Sequence, residues 1–384
     1  MAVTIEQTPD DYSLSGNPLI WIFSSNQTAQ ANFSFKVEIF VNATLKETHF
    51  VLPESGNKAH YDASDAAERY AEPPQTGNSQ ILDAENYISS LKLTVTENYG
   101  TPPSDKSSNN SSCKVIKGAQ KKRDFLTYNP TDYVFGADKL WLTKFPRNEK
   151  RYINLDDINK FTYITNLQNL SGFVALYEED GTPISQQNTG LAVRDEISIT
   201  NISSKILLTN YGFSQANIDA IGYLEIWWDT GAIESEKLRL YVDNRCVDAT
   251  AKSLVFLSTL GSLEVYRFTK RSQESARIKG KGYEGQFGYF NENGAWDYSL
   301  GGNIDYIKEI DNADKLMTDW IPQDEYNWLT KELLASPLVY LVESGNFFPV
   351  KVTNSRYQDK RNINDLIFNL MVDIDREKDY STVI

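Results

Sequence analysis

Histidine and cysteine, the side chains most often used in nucleophilic and metal chemistry, are scarce in this chain of 384 residues. Only His49, His60, Cys113 and Cys246 are present. A Ser-His-Asp or Cys-His arrangement would need one of the histidines as its base, but His49 lies in a strand-like pattern and His60 lies beside no nucleophile motif. A metal site rich in histidine or cysteine is excluded by their number. We expect two unpaired thiols, with a disulfide between them as the alternative.

Carboxylate pairs are the remaining route to catalysis, because the chain lacks the phosphate-binding, serine-elbow and zinc-binding motifs of common enzymes. Two acids about 5–10 Å apart in a cleft are enough for glycoside hydrolysis. Asp319 and Asp324, close to Trp320 and Trp328, are the best candidates for such a pair, yet acids around a helix start favour a solvent-facing role. The sequence predicts no enzyme and no cofactor. A carboxylate-bound calcium and a polysaccharide-degrading activity stay open as alternatives.

Aromatic residues are concentrated in a glycine-rich stretch over 280–302 that follows a basic segment, and a polar loop rich in Asn, Arg, Lys and Asp covers 353–365. Tyr, Trp and Arg are enriched at protein contacts, so an interface or packing role is favoured. A glycan platform and a nucleic-acid stacking site are the alternatives. The interface candidates from these two segments are Tyr283, Phe287, Tyr289, Phe290, Trp296, Tyr298, Arg356, Tyr357, Lys360 and Arg361.

Composition favours a mainly β protein without a general affinity for nucleic acid. The chain contains 22 Tyr, 18 Phe and 7 Trp but only 3 Met, and aromatic and β-branched residues suit a half-buried pleated surface. The net charge of −14 argues against a protein that neutralises many phosphates. The densest basic run, at 121–123, is interpreted as a solvated loop end. The polar start indicates no signal peptide, and no apolar run approaches the about 20 residues that cross a bilayer.

Alternating apolar residues and turn signals predict two immunoglobulin- or fibronectin-like β-sandwiches followed by a smaller α+β domain. Phe33 to Val41 has the period of a half-buried strand, whereas the Ser/Asn-rich segment over 100–122 is too polar to order alone. We expect that segment and the 353–365 loop to order only against a neighbour. The predicted divisions are a β-sandwich over 1–100, a polar loop or arm over 101–124, a second β-sandwich over 125–248 and the α+β domain over 249–384.

The C-terminal part of the predicted α+β domain combines a short amphipathic helix with three strands. Ser336-Pro337 ends the helix, a Gly345-Asn346 turn joins two strands, and the run FPVKVTNS at 348–355 precedes a closing strand with FNLMVDI at 368–374. Two upstream segments accompany these motifs: LVFLSTLGSLEVYRFTKRS at 254–272, a strand, a Leu-Gly turn and a second strand, and NPLIWIFSSN at 17–26, an opening strand.

Together these motifs resemble a group of tailed-bacteriophage virion proteins, from phages of Bacteroidetes-type hosts, whose members are usually taken as tail or baseplate components. The resemblance covers most of the chain and rests on structural, not catalytic, motifs. It implies a structural protein of the virion, in the tail, collar or baseplate, made in the host cytoplasm. The implied partners are copies of the chain and other virion proteins, without a membrane. A receptor- or glycan-binding virion protein, with a host glycan as partner, and a polysaccharide-degrading tail enzyme are the alternatives.

Overall fold

The chain is mainly β, with 51% strand and 11% helix, as the composition predicts. Backbone contacts divide it into two compact units, one formed by Met1–Asn244 with Phe256–Val265 and the other by Arg245–Val255 with Tyr266–Ile384. The computed structural model describes residues 3–54, 56–74, 81–83, 87–136, 139–156, 159–165, 170–193, 196–200, 204–243, 250–354, 367–377 and 379–382.

The strands are β1 (Thr4–Gln7), β2 (Tyr12–Leu14), β3 (Ile20–Ser24), β4 (Ser34–Val41), β5 (Thr44–Val51), β6 (Lys58–Asp62), β7 (Ile81–Asp83), β8 (Ile88–Tyr99), β9 (Ser104–Ile116), β10 (Tyr152–Ile153), β11 (Phe161–Thr165), β12 (Leu170–Tyr177), β13 (Pro183–Val193), β14 (Glu196–Thr200), β15 (Tyr223–Asp229), β16 (Leu238–Val242), β17 (Lys252–Leu257), β18 (Leu263–Phe268), β19 (Gln273–Phe290), β20 (Trp296–Met317), β21 (Ile321–Pro322), β22 (Val339–Glu343), β23 (Asn346–Val352), β24 (Ile367–Phe368), β25 (Met371–Asp375) and β26 (Asp379–Thr382). The helices are α1 (Ser64–Tyr70), α2 (Lys122–Phe125), α3 (Lys205–Asn210), α4 (Gln215–Asp219) and α5 (Gln323–Glu332), and Pro130–Asp132 form a 3-10 turn.

The N-terminal part of the first unit is built from a five-stranded sheet, in the order β2-β9-β8-β4-β5, and a three-stranded sheet, β1-β3-β6. Strand β4 alternates buried and half-buried positions along its whole length, as its period-two sequence predicts. Phe35 of β4 meets Phe23 of β3 edge to face, with ring centroids 4.9 Å apart. Both rings belong to one hydrophobic cluster that also contains the fully buried Trp21.

The prediction of a polar loop over 101–124 is wrong, because most of that segment forms strand β9. Residues Ser104 to Ile116 pair antiparallel with β8, and the last three also pair with β2. Polar side chains find partners on the inner side: Ser111 Oγ accepts a 2.8 Å hydrogen bond from Trp21 Nε1, and Asn109 Nδ2 donates to the Val3 carbonyl. The backbone ladder satisfies the peptide groups whatever the side chains are, so a polar composition does not prevent this strand.

A second hydrophobic cluster of the first unit lies among residues 135–240. Its members come from strands β10, β11, β12, β15 and β16, from helices α3 and α4, and from the segments beside them. Trp228 and Leu224 of β15 are fully buried in it. A buried ion pair accompanies the cluster, since Arg151 Nη2 lies 2.8 Å from Glu264 Oε2.

The second unit contains most of an eight-stranded sheet, in the order β18-β17-β22-β23-β25-β20-β19 with β26 beside β20. The predicted hairpin at 343–346 is present, with Ser344 and Gly345 at positive φ. The closing strand is interrupted after Phe368, so that β24 pairs with β21 and β25 pairs with β20 and β23. The three predicted strands nevertheless lie side by side in one sheet, in the order β22-β23-β25, and only the start of the third, β24, belongs to another sheet.

Candidate assembly interface

A long hairpin of β19 and β20 is the most exposed element that the structure describes. The two strands pair from Gln273↔Lys315 to Phe290↔Trp296. On its other side β20 pairs with β25 over 313–317 and with β26 over 307–310, and the outer edge of β19 ends the sheet. Within the described residues, the part over 282–306 is thus a ribbon of two strands. Such a ribbon is marginally stable by itself in water.

The six aromatic interface candidates of the 280–302 stretch all lie at the distal end of this hairpin, here called the aromatic tip. Phe287 is 78% exposed, Tyr298 71% and Phe290 70%. The other three members, Tyr283, Tyr289 and Trp296, are exposed by 41–55%. Large apolar side chains grouped at one exposed place indicate a contact surface for another molecule.

The rings of the aromatic tip contact one another across the two strands. Phe290 meets Trp296 edge to face at 5.1 Å between centroids, and Phe287 lies 5.8 Å from Tyr298. Trp296 Nε1 also donates to the Phe287 carbonyl, at 3.3 Å. This close approach requires Gly288, because a Cβ there would lie 2.6 Å from Trp296 Nε1, and its φ is +102°.

The turn that closes the tip is held by its own hydrogen bonds. Asn291 N donates to the Ala295 carbonyl at 2.8 Å, and Gly294 N donates to the Asn291 carbonyl at 2.9 Å. The Asn291 side-chain oxygen accepts from the backbone of Asn293 and Ala295. Gly294 takes a positive φ, which glycine allows at little cost. A tip ordered in advance loses less conformational entropy when it binds.

Charge is segregated along the hairpin. Residues 282–306 contain Glu284, Glu292, Asp297 and Asp305 but no Lys or Arg. The lysines lie nearer the sheet and pair across the strands: Lys279 Nζ is 2.7 Å from Asp311 Oδ2, and Lys281 Nζ is 2.5 Å from Glu309 Oε1. The tip is therefore aromatic and acidic.

A buried ion network holds the base of the hairpin. Asp314 of β20, whose side chain is 2% exposed, accepts from Lys252 Nζ at 3.0 Å and from Arg376 Nη2 at 2.5 Å. The same two cations contact Glu274 of β19 and Glu343 of β22. Hydrogen bonding from Lys252 lowers the pKa of Glu274. Carboxylates of three strands thus converge on two cations, which fixes where the hairpin leaves the sheet.

The two histidines contact carboxylates, and Cys113 is buried. His49 pairs with Glu47 and His60 with Glu54, at 3.0 and 2.9 Å. Cys113 is a buried free thiol, and burial raises its pKa to about 12, so it is a poor nucleophile at neutral pH.

The two candidate carboxylates, Asp319 and Asp324, have different surroundings. Asp319 Oδ2 lies 2.9 Å from Lys270 Nζ. Trp328 is buried and packs 6.0 Å from the Tyr266 ring, whereas Trp320 is exposed. Asp324 lies in the first turn of α5. Among the described residues no group of three or more His, Cys, Asp or Glu is placed to hold a metal ion.

Four of the interface candidates, Arg356, Tyr357, Lys360 and Arg361, lie outside the described residues, and so does Cys246. Gly288, Asn291 and the ion network were not predicted from the sequence. A signal for the tip was present in it: a run of 25 residues, 282–306, without Lys or Arg.

Comparisons with known proteins do not assign the chain to a family. No protein-family model and no curated protein matches the chain. A solved structure from Corynebacterium diphtheriae, of a protein described as membrane-anchored, aligns with 64% of this chain at 9% identity and a TM-score of 0.22. The extracellular region of Plexin A4 aligns with 64% at 10% identity and a TM-score of 0.19. The alignments span 59% and 21% of those chains, and scores this low do not relate the folds. In the described part of the chain, no helix has the length and apolar character needed to span a bilayer.

Proposed function

We propose that this protein is a structural component of a tailed-bacteriophage virion, in the tail, collar or baseplate, and that it acts by assembly. Its partners are copies of itself and other virion proteins, and it is made in the host cytoplasm. The observation that carries the proposal is the aromatic tip, six aromatic side chains on an ordered two-stranded arm. No bond is made or broken in this function.

The energetics favour repeated contacts over a single strong one. If docking removed about 400 Å² of apolar surface from water, the gross gain would be about 10 kcal/mol at about 25 cal/mol per Å². Association itself costs about 4–15 kcal/mol. One tip therefore gives a weak contact between two subunits. A closed ring of subunits adds such contacts together, which is the usual outcome for repeated copies.

The proposal includes a finer description of the fold. The two hydrophobic clusters of the first unit are proposed as cores of two immunoglobulin- or fibronectin-like sandwiches, one in its N-terminal half and one in its C-terminal half. Sandwich modules with exposed outer faces are suited to stacking into layers. A proteolytic fragment covering residues 3–120 that unfolds cooperatively by itself would support the first module, and a fragment without a cooperative transition would argue against it.

Incorporation into particles tests the proposed function. A phage genome would carry the tagged chain either as wild type or with Phe290→Ser and Tyr298→Ser, here called the tip variant. The control changes two other exposed apolar residues, Phe50→Ser and Leu52→Ser. We expect wild type and control in density-purified particles at constant stoichiometry, and the tip variant in the unassembled pool. Absence of the wild-type chain from particles would refute the proposal.

Glycan binding is the second candidate function, favoured by one feature of the tip. Trp296 is partly exposed beside Asp297, and aromatic faces next to carboxylates suit sugar rings and their hydroxyls. Asp297 accepts hydrogen bonds from Ser299, which lowers its pKa and keeps it charged. On a glycan array, binding by wild type and loss in Trp296→Ala would support this function over assembly. Equal signals from both proteins would exclude the tip as a glycan site.

A further inference from the structure

Like charge opposes a direct contact between the aromatic tips of two copies. Each tip carries Glu284, Glu292, Asp297 and Asp305 and no cation over 282–306. A symmetric tip-to-tip contact would bring eight carboxylates together, and juxtaposed like charges oppose association. The surface that receives a tip should instead be concave, apolar and rimmed with positive charge.

One groove of the first unit is concave, lies beside a basic segment, and has aromatic and proline residues within a partly polar lining. It has a volume of about 250 Å³ and is lined by the rings of Tyr12, Phe125 and Tyr128 and by Pro9 and Pro18, among others. The sites that hold drug-sized ligands are larger, about 300–1,000 Å³. A groove of this size suits one or two protruding side chains, and aromatic and proline walls suit a ring.

The rim of the groove supplies the complementary charge. Phe125 is the last residue of α2, and the four exposed residues before it are the cations Lys121, Lys122 and Arg123 and the acid Asp124. Lys114 adds a fourth cation, since its ammonium lies 5.3 Å from the centre of the Tyr12 ring. Asp10 lines the groove as well, and Asp124 lies 3.9 Å from Lys144. Leu126, 78% exposed, extends the apolar surface beyond α2.

We propose that this groove, through its aromatic walls and the basic run at 121–123, receives the aromatic tip of a second copy of the chain. The inference rests on the proposed function and names the partner surface for the same tip. Phe290 and Tyr298 enter the groove, and Glu292 and Asp297 face the cations of α2. Because tip and groove are different surfaces, the contact is head-to-tail, and it produces rings or open filaments rather than symmetric dimers.

The test uses two variants that should each fail to assemble for a different reason. The tip variant keeps the groove, and the groove variant, Lys122→Glu with Arg123→Glu, keeps the tip. The matched control reverses two exposed lysines elsewhere, Lys106→Glu with Lys331→Glu. Masses would be measured by sedimentation velocity at low salt, where surface charges are least screened.

We expect both variants to associate at least about tenfold more weakly than wild type and the control, because each loses one side of the contact. Mixed together, the two variants should form a one-to-one complex, since the tip variant offers an intact groove to the intact tip of the groove variant. The complex cannot grow, because its free tip and free groove are the defective ones. Adding Glu292→Lys to the groove variant should recover part of its self-association.

Other results would contradict the groove assignment, the head-to-tail pairing or the role of the tip. A groove variant that assembles as well as wild type overturns the groove assignment and leaves the role of the tip intact. Two monomeric variants that stay apart when mixed overturn head-to-tail pairing. A wild-type chain that stays monomeric at every accessible concentration overturns the inference. A tip variant that assembles as well as wild type instead contradicts the proposed role of the tip.

Discussion

The two longest antiparallel strand pairs that the structure describes differ in composition and in what packs against them. In the first, β8 pairs with the Ser/Asn-rich β9, and that pair lies inside a five-stranded sheet over a hydrophobic core. In the second, β19 pairs with β20. Strand β19 carries four of the six aromatic residues of the tip, and almost every one of its positions is exposed. One side of the polar strand faces the core, whereas almost every position of the aromatic strand is exposed.

The difference shows that a strand's position depends on what packs against it. On β9 the inward side chains have fixed partners: Ser111 binds Trp21 Nε1, and Ser107 donates to the buried Glu97. On the hairpin, the ring contacts found among the described residues join members of the tip. Large apolar side chains that stay exposed to water are typical of a surface that binds another molecule.

The largest expected effect is a loss of stability when the ion network at the base of the β19–β20 hairpin is disrupted. Asp314→Asn leaves Lys252 and Arg376 without their buried carboxylate. Breaking a buried ion pair costs about 3–5 kcal/mol of unfolding free energy, so urea unfolding should show a loss of that order. The control, Glu274→Gln, changes an exposed member of the same network and should have far less effect. Equal losses in both variants would mean that the network does not depend on its buried member.

The next effect tests whether polar partners hold β9 in place. Ser111→Ala removes the acceptor of Trp21 Nε1, a donor in the core, and leaving such a group unpaired costs about 1–3 kcal/mol. Ser112→Ala, on the exposed side of the same strand, should stay within about 0.5 kcal/mol of wild type. Chemical denaturation of the three proteins provides the comparison. If the two variants were equally stable, the hydrogen bond would not explain the strand's position.

A smaller effect on stability, with a large effect on assembly, is expected for Gly288→Ala. The added Cβ would meet Trp296 Nε1 and the Asp297 carbonyl, so Trp296 must move and its fluorescence should change. Gly302→Ala is the control, because Gly302 also has a positive φ but nothing within 4 Å of an added Cβ. Both variants bear backbone strain of about 1–2 kcal/mol. Only the first should also lose self-association, and loss in both would assign the effect to strain.

The smallest effect concerns pH and the outer end of β9. Hydrogen bonds from Lys36 and Asn98 lower the pKa of Asp105 below its usual value. Its stabilisation is therefore present above the unfolded-state pKa of about 3.9 and is lost as pH falls through the lower folded-state value. Melting temperature should fall slightly more steeply below about pH 4 in wild type than in Asp105→Asn. Identical pH profiles would exclude this contribution.

The sequence predicted those elements whose patterns report directly on local structure. The alternation of β4 and the Gly345 turn were of this kind, because period-two burial and positive φ are local properties. Strand β9 was missed because backbone groups make its pairing with β8, and those groups are the same whatever the side-chain composition.

For the candidate site, composition identified the aromatic residues but not their arrangement. That Phe290 stands opposite Trp296 depends on the turn at Asn291 and on the space that Gly288 leaves, which no residue type alone specifies. The groove could not be predicted either, since Tyr12 and Tyr128 are distant in sequence and meet only through the fold.

Self-association of the purified chain tests the central claim most directly. Sedimentation velocity over a concentration series would compare wild type with the tip variant, Phe290→Ser with Tyr298→Ser, and with the equally apolar control, Phe50→Ser with Leu52→Ser. The proposed role of the tip predicts reversible growth in mass for wild type and control, and a monomer for the tip variant. A tip variant that grows in mass as wild type does would contradict it.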